Sequence, residues 1–146
     1  MDLGVLLTVR AALGPLAAGT WTGPHPLAAS GWPATAAELG GVYAGLYLAA
    51  GSDGRLRWLG KAYRGRGLAT RIREHLDVPE RAAEFHHLYV VEALAYSPPA
   101  AIECAEGKAA DLLRLRATMS GRRWPSSARW PELVAGFRDP LSPSMR

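Results

Sequence analysis

An α+β fold around a small antiparallel sheet follows from three features of the chain. Two apolar, β-prone segments flank Gly51-Ser52-Asp53-Gly54, a strong turn sequence, and so predict a hairpin. A third β-prone segment, residues 85–95 (FHHLYVVEALA), stands between stretches of helical periodicity at 68–77 and 99–119. The resulting order, β-β-α-β-α, gives a three-stranded sheet flanked by helices, with a helical extension in front. At 146 residues the chain has the length of one domain with an ordinary core.

Residues 1–18 predict a short amphipathic helix with a stripe of Leu3, Leu6, Leu7, Val9 and Leu13. Residues 19–34 carry Trp21, Gly23, Pro24, Pro26, Gly31, Trp32 and Pro33 and read as an ordered or linking loop. The first unit is therefore 1–36, a helix followed by a loop. Residues 41–50 (GVYAGLYLAA) read as a buried strand, and 55–61 as the returning strand. A Gly- and Arg-rich loop covers 62–67, and the helix at 68–77 ends at Asp77-Val78-Pro79. Ser97-Pro98-Pro99 opens the long helix, and Gly121 closes it. The central unit is thus 37–121, followed by an Arg/Trp/Pro-rich tail at 122–146 that is expected to pack on the same domain.

The single cysteine, Cys104, excludes an internal disulfide and a cysteine-based zinc site. That makes a reducing, cytoplasmic setting the expectation. The N-terminal run MDLGVLLTVRAALG is interrupted by Arg10 and predicts no membrane span. Charge is unevenly placed. Residues 55–73 hold Arg55, Arg57, Lys61, Arg64, Arg66, Arg71 and Arg73 and no acid, and the remaining ten basic residues face thirteen acidic ones. The whole positive excess sits in that stretch, which suits an anionic partner: nucleic acid or another phosphate-bearing substrate.

On the helix at 68–77, Leu68, Ile72 and Leu76 form the buried stripe. Arg71 and His75 lie one turn apart on its edge, facing the seam between helix and sheet. In the later helix, Glu106 shares a face with Ile102, Ala109, Ala110, Leu113 and Ala117. A carboxylate there needs a cation, either a metal ion or Arg71. His86 and His87 begin the third strand and point to opposite faces. Trp124, Arg129 and Trp130 suit a clamp holding the tail on the core better than a base-stacking surface.

These residues together resemble a known family. Gly45-Leu46-Tyr47, ten intervening residues and Trp58-Leu59-Gly60 are similar to the GIY-YIG nuclease pattern. The Leu68-x-x-Arg71-x-x-x-His75 helix, the third strand and the Glu106 helix follow in that family's order. The resemblance covers residues 40–120 and implies a three-stranded sheet flanked by helices and metal-dependent cleavage of phosphodiesters. It implies Tyr47 as general base or water-orienting group, Arg71 as the cation on the phosphate, and Glu106 as ligand of one Mg²⁺ or Mn²⁺. His75 is an alternative proton carrier, since imidazole titrates near neutrality. Gly41-Val42-Tyr43 is a second candidate for the first triplet, with Tyr43 then taking the role of Tyr47. The basic stretch supplies substrate contacts through Trp58, Lys61, Tyr63, Arg64, Arg66 and Arg73.

The pattern departs at two points. Its second tyrosine is Trp58, for which Tyr63 is a possible substitute, and the asparagine expected after the glutamate helix is missing from a chain with no Asn at all. Ser126 and Ser127 stand near that place. Three functions follow: a DNA endonuclease, a repurposed enzyme of the same fold acting on a small molecule, and a nucleic-acid-binding module without catalysis.

Overall fold

The computed structural model describes residues 1–63 and 67–135. Its fold is α+β, with an antiparallel sheet of four strands rather than three, in the order β1-β4-β2-β3. Helix α1 (Leu3–Leu13) opens on Asp2, whose side chain accepts the Gly4 N–H at 2.7 Å, and ends at Gly14, where φ is 54°. It buries Leu6, Val9, Ala12 and Leu13. Leu3 and Leu7 stay exposed, at 59% and 50%, so the apolar stripe is narrower than the sequence predicts. Leu7 is about 100° round the helix from Leu6, which turns it away from the core.

The additional strand, β1 (Thr22–Pro26), lies inside the segment that reads as a loop, and it pairs antiparallel with β4. Its prolines hide it from a sequence reading, because proline weakens any strand prediction. They are tolerated here because β1 is an edge strand, where one side of the backbone needs no ladder donor. Two short helices, α2 (Trp32–Leu39) and α4 (Pro79–Glu84), also add to the expected elements, each with proline in its first turn.

The central hairpin forms as its turn predicts. Strands β2 (Gly45–Ala50) and β3 (Leu56–Ala62) pair in antiparallel register, and β4 (His87–Glu92) flanks β2 on its other side. Alternation along these strands separates two cores. Leu46, Leu48, Leu59 and Val91 face α1 and α5 (Pro99–Leu112). Tyr47, Ala49, Leu88 and Val90 face the other way, toward Leu68 and Ile72 of α3 (Leu68–Leu76). Tyr43 precedes β2 and is 55% exposed, so it does not share a strand face with Tyr47.

The long helix is divided. It stops at Leu112, Arg114 takes a left-handed φ of 58°, and α6 (Leu115–Thr118) follows. That break sends the chain back along α5. Arg116 donates to Asp111 and to the carbonyls of Trp124 and Pro125, fixing the returning segment. Gly107 accommodates it, since a Cβ there would overlap the Pro125 carbonyl. Trp130 opens α7 (Trp130–Ala135), packs against the α1–α5 core and carries Lys108 Nζ at 4.4 Å from its ring centre.

Candidate active site

The site gathers at β3, the outer strand beside β2. Gly60 lies opposite Tyr47 in the hairpin register. The Tyr47 ring fills the space that a side chain on Gly60 would occupy, so the two motif positions are sterically matched. Gly60→Ala is therefore expected to cost about 1–3 kcal/mol of stability through overpacking, measured by urea denaturation. A variant as stable as the parent would show that the Tyr47 ring is free to move.

The Tyr47 hydroxyl is completely buried and lies 2.7 Å from His75 Nε2. On the other side of the imidazole, Arg81 Nη1 is 3.0 Å from Nδ1. A guanidinium only donates, so Nδ1 accepts and the ring proton is on Nε2, which donates to Tyr47. Burial, reinforced by Arg81, Arg71 and Arg122, pulls the His75 pKa from 6.5 down to about 4. His75 is thus neutral at pH 7, with both nitrogens engaged inside the protein. The role of proton carrier that the sequence offers for it does not fit this arrangement. It positions the Tyr47 ring.

A stability effect follows. Between pH 6.5 and about 4 the unfolded chain takes up a proton at this position and the folded chain does not. Stability is therefore full above pH 6.5 and declines as pH falls to about 4, by on the order of 3 kcal/mol from this group. Urea titrations across that window, with His75→Phe as comparison, should show the slope in the parent and a weaker one in the variant.

Burial also pushes the Tyr47 phenol above its usual value of 10.0, with Glu106 adding to the rise and Arg71 and Arg122 opposing it. Tyr47 therefore keeps its proton at neutral pH and is not a general base in this state. The fields of Arg71, Glu106 and Arg122 reach the phenol, but its hydrogen-bond partner is His75, and neither Arg71 nor Glu106 bonds to it.

Glu106 is 1% exposed, and its partners differ from those the sequence suggests. Oε1 accepts from Lys61 Nζ at 3.1 Å and Oε2 from Arg122 Nη2 at 3.2 Å. Arg71 instead pairs with Glu74 one turn along α3, at 3.0 Å. Among the described residues there is no cluster of three or more acidic, histidine or cysteine side chains able to hold a metal. A hydrated divalent ion at Glu106 would have to displace Lys61 or Arg122 from a carboxylate that both already neutralise. As these side chains are placed, Glu106 does not fit the metal that the resemblance implies.

Arg122 is the residue that sequence reasoning missed. It also donates to the Leu59 carbonyl on the open edge of β3, and it lies 4.4 Å from the Trp58 ring centre and 3.9 Å from that of Trp124. Ser126 and Ser127 bond elsewhere, to Ala128 and Asp111. The only clue in the sequence is that Arg122 directly follows the helix-closing Gly121.

A cavity of about 220 Å³ opens beside Lys61, the partner of Glu106, and is lined by Lys61, Ala62, Tyr63, Arg71 and Glu103. Tyr63 is therefore the phenol on the open side. Trp58 is not placed to stack substrate: its ring packs edge-on against His75 at 4.9 Å, and Arg81 and Arg122 cover it. Its indole N–H is buried and near enough to the Tyr47 phenol to lower its pKa, without reaching full hydrogen-bond geometry. Arg73 is exposed and does not line the cavity, Tyr43 is not among the cavity's lining residues, and Arg64 and Arg66 lie outside the described residues. His86 and His87 are exposed at the start of β4.

Compared with known proteins, the chain matches no protein-family model, no curated protein and no solved structure. Any functional reading therefore rests on this geometry and on the motif order. No helix among the described residues is long and apolar enough to cross a membrane.

Proposed function

We propose that the chain is a phosphodiester hydrolase, an endonuclease acting on DNA, with its reacting centre in the Lys61–Tyr63–Arg71 cavity. The observation that carries this reading is the convergence of an ammonium, a phenol and a guanidinium, with the Glu103 carboxylate, on one open cavity whose ammonium is held by the buried Glu106. Phosphoryl transfer is chiefly a matter of positioning and charge stabilisation, which such a set supplies. Arg71 and Lys61 would bind the non-bridging phosphate oxygens and stabilise the charge that grows on them. The Tyr63 hydroxyl would orient the attacking water, and the Glu103 carboxylate on the cavity wall would take its proton as the new P–O bond forms and the P–O bond to the leaving oxygen breaks. Glu106 would fix Lys61 from below, and His75 would hold Tyr47 as the floor of the site.

Because Lys61 and Arg122 already occupy Glu106, the proposed hydrolysis does not require the divalent ion that the resemblance implies. Incubating the protein with plasmid and with single-stranded DNA in Mg²⁺, Mn²⁺ or EDTA tests both parts. Nicking that survives EDTA agrees with the site as it is built. Nicking only with Mg²⁺ or Mn²⁺ would mean that Lys61 or Arg122 leaves Glu106 when an ion binds. No nicking under any condition would overturn the hydrolase reading.

A second reading is a nucleic-acid-binding module without catalysis, favoured by the complete burial of Tyr47 and the charge-neutralised state of Glu106. It predicts salt-sensitive binding to DNA without cleavage.

A further inference from the structure

A second cavity, of about 510 Å³, opens along β3 and is lined by Arg57, Trp58, Arg81, Met119, Gly121 and Arg122. Three guanidiniums line it, and their partners differ. Arg57 Nη2 donates to Asp53 at 2.9 Å, and Arg122 pairs with Glu106. Arg81 bonds to neutral His75 and lies 4.6 Å from the Trp58 ring centre, and among the described residues it has no carboxylate partner. Both carboxylates are shared with a further cation, Asp53 with Arg55 and Glu106 with Lys61, so the open cavity keeps an uncompensated positive charge.

The chemistry of this lining selects its ligand. Planar guanidinium forks match the oxygens of a phosphate. A stacked nucleobase is a poor fit, because the Trp58 ring already carries two guanidiniums. Position adds to this. Arg57 and Lys61 are both on β3, four residues apart, which is about 13 Å at ~3.3 Å per residue. A nucleic-acid strand carries a phosphate every ~3.4 Å of duplex axis, so one strand spans both cavities with phosphates to spare.

We propose that the Arg57–Arg81–Arg122 cavity is a second phosphate subsite, taking a flanking backbone phosphate of the strand whose reacting phosphate occupies the Lys61–Tyr63–Arg71 cavity. The pairing of the two sites rests on the proposed hydrolase reading. The subsite itself rests on its own lining. Arg122 connects the two, with one end of its guanidinium on Glu106 and its face near Trp58.

The test is fluorescence anisotropy of a short, labelled, phosphorothioate single strand over a series of salt concentrations, with the parent, Arg57→Gln and Arg81→Gln. Each variant should weaken binding about fivefold, the effect of one lost hydrogen-bonding contact. Each should also lower the slope of log affinity against log salt by about 0.7. Arg57 lies on the surface, so its variant keeps the test open if Arg81→Gln disturbs His75 and the fold. Parent-like affinity and slope in both variants would overturn the proposal. Inorganic phosphate and pyrophosphate form the second arm. Pyrophosphate binding that depends on Arg57 and Arg81, with strand binding unaffected, would assign the cavity to a small phosphate ligand and overturn the strand assignment. Strand binding that depends on both arginines, in a protein that never cleaves, would keep the subsite and sink the hydrolase reading.

Discussion

Arg71→Ala is expected to slow DNA cleavage at least about 100-fold while leaving the fold intact. Arg71 lines the open cavity and, among the described residues, its side chain bonds only along its own helix, to Glu74, so it ties no other element in place. Removing one preorganised donor from a site of developing negative charge costs about 100- to 1,000-fold. Its i,i+3 partner is 41% exposed, and a surface pair of that kind contributes little to stability. Single-turnover cleavage should therefore fall steeply while the urea midpoint stays near that of the parent. A variant that cleaves at the parental rate would remove Arg71 from the chemistry.

Glu106→Ala is expected to act in the opposite way, through stability first. Its carboxylate is 1% exposed, and the side chains of Lys61 and Arg122 on it are 22% and 21% exposed. Removing the shared anion leaves Arg122 without its carboxylate and Lys61 with only the half-exposed Glu103, 3.9 Å away. Breaking a buried ion pair from one side costs about 3–5 kcal/mol, and the partial exposure of both cations places this case near the lower end. Urea denaturation measures the loss. Cleavage by any folded fraction should also fall, because Lys61 loses the group that sets its position. If the variant were as stable as the parent, Glu106 would not be holding β3, α5 and the tail together.

The two variants separate functions that the motif order alone treats as one set. The hairpin, α3, β4 and the start of α5 were legible because each has a local cause: a Gly-Asp turn, alternating burial, a leucine stripe and a proline-led helix start. The pairing of Tyr47 with Gly60 is likewise implicit in the spacing of the two triplets across that turn. Strand β1 was not legible, because Pro24 and Pro26 argue against a strand everywhere except at an edge. The partners of Glu106 were not legible either. Arg122 reaches it only because Arg114 breaks the helix, and its bond to Leu59 spans 63 positions of sequence. Which phenol faces the open cavity depends on the same packing. Tyr47 is sealed between Gly60 and His75, and Tyr63, just past the end of β3, lines the cavity.

The central claim is that a phosphodiester is bound between Lys61, Tyr63 and Arg71. A crystal structure with a short phosphorothioate oligonucleotide tests it most directly. The account predicts a phosphate within about 3 Å of Arg71 and Lys61 nitrogens, with the Tyr63 hydroxyl beside it. A strand bound on another face, with this cavity empty of phosphate, would contradict it.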